Sequence, residues 1–198
     1  MPARDVIAFV RAALPAAPAR VLEVGAGDGE LAAALVAAGY DVVAIDPDSP
    51  APEVRAVALH ELDELPFDAA VAVLSLHHVE PLHESVRRLA DLVRPGGALV
   101  VDEFDVDRLD ERAARWWLRH SGEAIEPHEL VAGSREHMHS LALLRETLGR
   151  WFELGEPVRG AYLYRWKLPP GLRESEEELI AAGELPAIGA RLVGVRRP

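Results

Sequence analysis

The chain has 198 residues, 49% of them apolar, and a net charge of −12. It contains no cysteine, which excludes disulfides, thiolate metal sites and thiol nucleophiles. Its acidity argues against a nucleic-acid partner, which needs clustered Lys and Arg; here Arg87-Arg88 and Arg196-Arg197 are isolated pairs and Lys167 is the only lysine. The length suits one α/β domain over residues 1–198. The N-terminus lacks a long apolar signal core, and no run reaches the ~18 apolar residues of a membrane span. The expectation is a soluble cytoplasmic protein with no membrane partner.

Val6, Phe9, Val10 and Ala13 recur at helical spacing, so residues 3–14 predict a helix, ended by Pro15 and Pro18. Val21–Val24 predicts a first strand, a glycine loop follows, and a helix runs from about Glu30 to Ala38 before Gly39. Asp41–Ile45 is continuously apolar after its first residue, as central parallel strands are, and stops at Asp46-Pro47. Val54–Leu59 predicts a third strand, His60–Phe67 an acidic loop, and Ala69–Leu74 a fourth strand. Pro81–Val93 reads as a helix, Arg94-Pro95-Gly96-Gly97 as a turn, and Ala98–Val101 as a fifth strand. This alternation implies parallel strands with right-handed crossovers and a ligand site at their carboxyl ends.

The second half predicts a helix over 107–120, a turn-rich stretch over 121–134, and a helix over 141–152. A strand over 158–166, a helix over 174–182 and a last strand over 190–195 follow. It completes the same sheet and adds a helical elaboration after the fifth strand, residues 104–157.

In VLEVGAGDGELAAAL (21–35) three glycines alternate behind an acid, Glu23. Dinucleotide sites carry G-x-G-x-x-G with a pyrophosphate on the helix N-terminus. Here Glu30 stands in place of the third glycine, and a carboxylate beside the loop repels pyrophosphate but suits an ammonium group. Glu23-x-Gly25-x-Gly27-x-Gly29 resembles motif I of the class I S-adenosylmethionine-dependent methyltransferases of the small bacterial, small-molecule type. HELDELPFDAAVAVLSLHHV resembles the family's third-strand loop and fourth strand, and LADLVRPGGALVV its following helix, turn and fifth strand. The likeness covers residues 20–103.

The resemblance implies a Rossmann-like, doubly wound, mostly parallel α/β sheet of about seven strands with the last strand antiparallel. It implies S-adenosylmethionine as cofactor, S-adenosylhomocysteine as product and a small organic molecule as acceptor. Glu23, Gly25, Ala26 and Gly27 would hold the donor's amino-acid end, and Asp46 with Pro47 its ribose. Glu61 would accept from the adenine amino group and the N–H of Leu62 would face a ring nitrogen, with Leu74 and Ser75 below. Departures remain: Glu61-Leu62 replaces the commoner Asp-Ala, and Glu23 has an alternative role bonding loop N–H groups without touching ligand.

The sulfonium methyl would point over the end of the fourth strand, where His77 and His78 lie. Either is a candidate base, His78 favoured by resemblance, with structural packing as the alternative for each. Glu103, after the fifth strand, is a candidate to bind a cationic acceptor or act as base. His137 and His139 diverge by ~200° if helical, and no metal motif matches, so no metal site is assigned. Trp116, Trp117 and Tyr162 are candidates for an acceptor pocket or for core, and Leu141, Leu144, Leu148 and Trp151 for core or a homodimer face. Rival readings are a methyltransferase fold that binds the cofactor for a non-methylating reaction or for binding alone, a nicotinamide oxidoreductase, and a protein methyltransferase.

Overall fold

The computed structural model describes residues 4–169 and 171–198. Helix α1 (Arg4–Ala13) precedes β1 (Arg20–Val24), α2 (Glu30–Ala37), β2 (Asp41–Ile45), β3 (Phe67–Val73), α3 (Leu82–Leu92) and β4 (Val93–Phe104). Three helices follow, α4 (Glu111–Ser121), α5 (Pro127–His137) and α6 (Leu141–Gly149), then β5 (Phe152–Leu154), β6 (Val158–Gly160), α7 (Arg173–Ala181) and β7 (Gly189–Arg196).

The strands form one seven-stranded sheet in the order β2-β1-β3-β4-β7-β5, with β6 also on β7. β2, β1, β3 and β4 are parallel, and β7 is antiparallel to β4, β5 and β6. This agrees with the expected fold class, including the antiparallel last strand.

Residue alternation along each strand decides which face it serves. Val21, Ala69, Val71 and Val100 pack on α1 and α2 through Val6, Val10, Leu31 and Leu35. Leu22, Val24, Ala70, Ala72, Leu99 and Val101 face α3 and α6 through Val86, Leu89, Leu144 and Leu148. A separate cluster joins Phe104 at the end of β4 to Trp116 and Trp117 of α4, Tyr162, Leu163 and Ile188. Among the described residues no helix is long and apolar enough to cross a membrane.

Four expectations are corrected. Val54–Leu59 is not a strand: one bridge, Ile45 to Arg55, is its only ladder contact, and Leu59–Glu61 is a 3-10 turn. Pro47, Pro50 and Pro52 precede it and lack the N–H donors that a ladder on β2 needs. Arg94–Gly97 lies within β4 as a bulge, where Phe67 pairs with Val93 and Ala69 with Ala98. Gly97 is forced there: a Cβ would meet the carbonyl oxygens of Arg94 at 2.8 Å and Asp68 at 2.9 Å. The turn-rich stretch over 121–134 contains most of α5, started by Pro127 at its first position and by Glu129, whose side chain accepts from the N–H of Glu126 at 3.1 Å. Finally, the strand over 158–166 is only Val158–Gly160, because Leu163–Arg165 coils into a 3-10 turn.

Candidate active site

The chain leaves β1 toward β2 on one side and returns to β3 on the other. The gap between these crossovers, at the carboxyl ends of β1 and β3, is the switch point where such sheets bind ligands. Gly25, Gly27 and Gly29 all have positive φ, of 69°, 55° and 76°, which lets the chain reverse tightly into α2. The N–H groups of Gly25 and Ala26 both donate to the Ile45 carbonyl, at 2.8 and 3.0 Å, which ties the loop to the end of β2. A Cβ on Gly25 would lie 2.2 Å from the Cβ of Ser75, so only glycine allows the loops after β1 and β3 to meet. Ser75 seals the contact, its hydroxyl donating to the Val24 carbonyl at 2.7 Å.

A cleft of about 240 Å³ opens at this junction. Val24, Gly25, Ile45, Asp46, Pro47 and Asp48 form one side; Leu74, Ser75, His78, Val79 and Glu80 form the other; Val57, Ala58 and Leu59 close the end. Its charged side chains are Asp46, Asp48 and Glu80, and among the described residues no Lys or Arg lines it. Asp46 accepts the N–H of Gly27 on one oxygen and that of Asp48 on the other, each at 2.9 Å. Each carboxylate oxygen has a second lone pair, so acceptor capacity for hydroxyl groups remains. Leu74, at the cleft floor, has φ of +55°, a strained conformation for a branched side chain. Its N–H donates to the Asp102 carbonyl at 2.8 Å.

The other candidates fall in three places. Glu23 is 3% exposed and does not line the cleft, and among the described residues its Oε2 has no hydrogen-bond partner. Burial pushes its carboxyl up to about 8, aided by the Asp28 charge and opposed by the Ala32 N–H. Ala26 packs with Ala32, Ala44 and Val54 and stays outside the cleft lining, as does Gly27. Glu61 is exposed and Leu62 buried, and neither lines the cleft. The Leu62 N–H turns back to the Leu59 carbonyl at 3.3 Å, and its own carbonyl accepts from Arg88 Nε at 2.6 Å. Three residues earlier, Ala58-Leu59 lines the cleft instead. No charge or pattern signal marks those two apolar residues, whereas Asp48 and Glu80 carried charges that a reading from motifs alone passed over.

Of the two histidines only His78 lines the cleft. Burial and the neighbouring His77 push its pKa below the ordinary histidine value, while a hydrogen bond to the His137 carbonyl opposes them. His77 is buried, with Nδ1 against Glu103. Glu103, expected at the acceptor, is instead fully buried and outside the cleft lining, which corrects its assignment as an acceptor-contacting group. Trp116, Trp117 and Tyr162 are core: Trp117 Nε1 donates to the Trp166 carbonyl at 2.7 Å and Tyr162 stacks on Phe104 at 4.7 Å. His139 ties the α5–α6 connection to the loop after β3, through its N–H to the His77 carbonyl at 2.9 Å and its Nε2 to the Val79 carbonyl at 3.0 Å.

Comparison with known proteins gives this arrangement a lineage. An uncharacterised methyltransferase of Mycobacterium tuberculosis is 36% identical over 124 residues, covering 57% of this chain and 49% of that protein, so the chain spans about half the length of that relative. The crystal structure of an S-adenosylmethionine-dependent methyltransferase from Mesorhizobium loti superposes with a TM-score of 0.64 at 18% identity, over 98% of this chain and 99% of that one. That of the 1,6-didemethyltoxoflavin N1-methyltransferase of Burkholderia thailandensis, solved with 1,6-didemethyltoxoflavin and S-adenosylhomocysteine bound, gives 0.57 at 20% identity, over 98% of this chain and 77% of that one. At these identities the superpositions speak for the fold alone. The pattern of the methyltransferase-domain family, in contrast, matches residues 2–153 directly, from α1 through the glycine loop and cleft to β5, and the chain belongs to that family, within the class I S-adenosylmethionine-dependent methyltransferases.

Proposed function

We propose that this protein transfers a methyl group from S-adenosylmethionine to a small organic acceptor. The observation that carries the reading is the cleft itself: a glycine loop, the Asp46 carboxylate and an all-acidic set of charges meet at the switch point with no cation. That set opposes a pyrophosphate and matches a ligand bearing ammonium, sulfonium and ribose hydroxyl groups. Bound S-adenosylmethionine supplies an activated methyl, so the protein's main task is alignment.

In this reading Asp46 accepts from the ribose hydroxyls, with Pro47 beside it. Leu74, Ser75 and the Gly25 backbone form the floor, and Ala58 and Leu59 offer an apolar wall to a flat base. Glu23, buried outside the cleft lining and holding its proton near pH 7, adds no charge there, so the negative field that an ammonium group meets comes from Asp46, Asp48 and Glu80. His78 is the group placed to take a proton from the acceptor. The lowered pKa keeps the ring neutral near pH 7, which leaves one ring nitrogen with a lone pair for a proton. The absence of Lys and Arg from the lining favours an uncharged or cationic acceptor over a phosphate or carboxylate.

Calorimetry with S-adenosylmethionine, S-adenosylhomocysteine and NADH tests the donor. We expect micromolar binding of the first two and none of the third. Asp46→Ala should weaken both by about tenfold or more, since hydrogen bonds to a charged group are worth about 1.5–3 kcal/mol. Binding of NADH alone, or an unchanged affinity in the variant, would refute the assignment. Mass-detected methyl transfer to a panel of neutral phenols and amines then reads the acceptor.

A further inference from the structure

Glu103, the penultimate residue of β4, has no exposed surface, yet every lone-pair direction of its carboxylate is in use. Oε1 accepts the N–H groups of Ser75 at 3.1 Å and Leu76 at 2.7 Å. Oε2 meets His77 Nδ1 at 2.5 Å and accepts the N–H of Phe104 at 3.2 Å. Three of these four partners belong to the loop after β3, which supplies Ser75, His78, Val79 and Glu80 to the cleft. Backbone N–H groups can only donate, so the carboxylate accepts in those three contacts, and a proton on His77 Nδ1 makes it the acceptor in the fourth as well. The ring of His77 in turn lies 4.3 Å from that of His78. One carboxylate thus fixes the height of Ser75 against Gly25, the tautomer of His77 and the backing of the His78 ring.

We propose that Glu103 is the positioning residue of this site: it touches neither donor nor acceptor and holds the loop after β3 in the shape that binds the donor. The inference rests on the donor-cleft reading. Without the carboxylate the N–H groups of Ser75 and Leu76 lose their buried acceptor, and the loop must move to find another. A glutamine there keeps an oxygen for Ser75 and Leu76 but turns an amide NH₂ toward His77 and toward the Phe104 N–H. His77 must then give up its Nδ1 proton, and the ring contact with His78 shifts.

The experiment compares wild type with Glu103→Gln by calorimetry with S-adenosylhomocysteine, histidine ¹⁵N NMR, and urea unfolding to confirm that the variant is folded under the binding conditions. Expected are a loss of at least tenfold in affinity in the folded variant and a move of the His77 proton from Nδ1 to Nε2. A purely structural glutamate would lower the urea midpoint and leave the affinity of the folded fraction within twofold, which would overturn the proposal. Should the variant fail to fold, the ligand-free wild type decides. Slow exchange of the Ser75 and Leu76 amides with a protonated His77 Nδ1 upholds the clamp, and amides exchanging as in an open loop, or a His77 protonated only on Nε2, reject it. If wild type binds no S-adenosylhomocysteine while the clamp signatures are present, the donor reading has failed rather than the geometry of Glu103.

Discussion

Glu23 and Glu103 are both buried glutamates next to one cleft, and their surroundings differ in kind. Glu103 meets four N–H partners, whereas among the described residues Glu23 Oε2 meets none and its carboxyl is pushed up to about 8, mainly by burial. The unfolded chain releases the Glu23 proton near the ordinary value of 4.5, and the folded chain holds it until about pH 8. Between those values the native state binds the extra proton, so this group makes stability fall as pH rises, by up to about 1.4 kcal/mol per unit. Glu23→Gln, which is uncharged at every pH, should flatten that part of the curve between pH 5 and 8. Parallel wild-type and variant curves from urea unfolding across that range would show that the carboxyl titrates normally. The glycines and the acid ahead of them were legible because their spacing is a backbone requirement written in residue types. What Glu23 does with its proton was not legible, because that depends on the depth of burial.

Elements whose period and length agree read correctly from the sequence. β1, β2, β3 and the second half of β4 are short apolar runs between turn residues, as strands buried on both faces must be. The misreadings in the second half share a cause: a tertiary partner decides the element. α5 is polar, with Gly133 and Ser134 inside it, and packs on α4 with few buried residues of its own, so periodicity could not show it. β5 is three residues long and exists through its pairing with β7. The turn at Leu163–Arg165 interrupts a strand-like run because Glu176, from the first turn of α7, accepts the N–H groups of Tyr162, Leu163 and Tyr164 at 2.7, 2.9 and 2.8 Å. Nothing local to 158–166 encodes a carboxylate arriving from residue 176. Glu176→Ala would strand three buried donors at about 1–3 kcal/mol each before relaxation, so a net loss of about 3 kcal/mol or more is expected from urea unfolding. A loss below about 1 kcal/mol would mean that the turn is held by its aromatic packing instead.

For the whole molecule, topology fixes where a ligand goes and charge fixes which ligand is drawn there. The order β2-β1-β3-β4 puts the only reversal of winding among the parallel strands between β1 and β3, and the cleft opens there. The chain carries −12 overall, and the cleft adds Asp46, Asp48 and Glu80 without a lining cation, so distant and local fields have the same sign. S-adenosylmethionine carries one more positive charge than S-adenosylhomocysteine, on the sulfonium, and is otherwise nearly the same shape. The ratio of their affinities therefore isolates the field at the sulfur from every shared contact. Asp48 and Glu80 are solvent-exposed, so salt should screen them. Calorimetry from about 0.02 to 0.5 M ionic strength shortens the Debye length from roughly 20 to 4 Å. The donor should weaken relative to the product by on the order of threefold across that range, the scale of one exposed charge pair in water. A ratio independent of salt would mean that the sulfur lies beyond the reach of those carboxylates, and that shape and the buried loop alone set the preference for the donor.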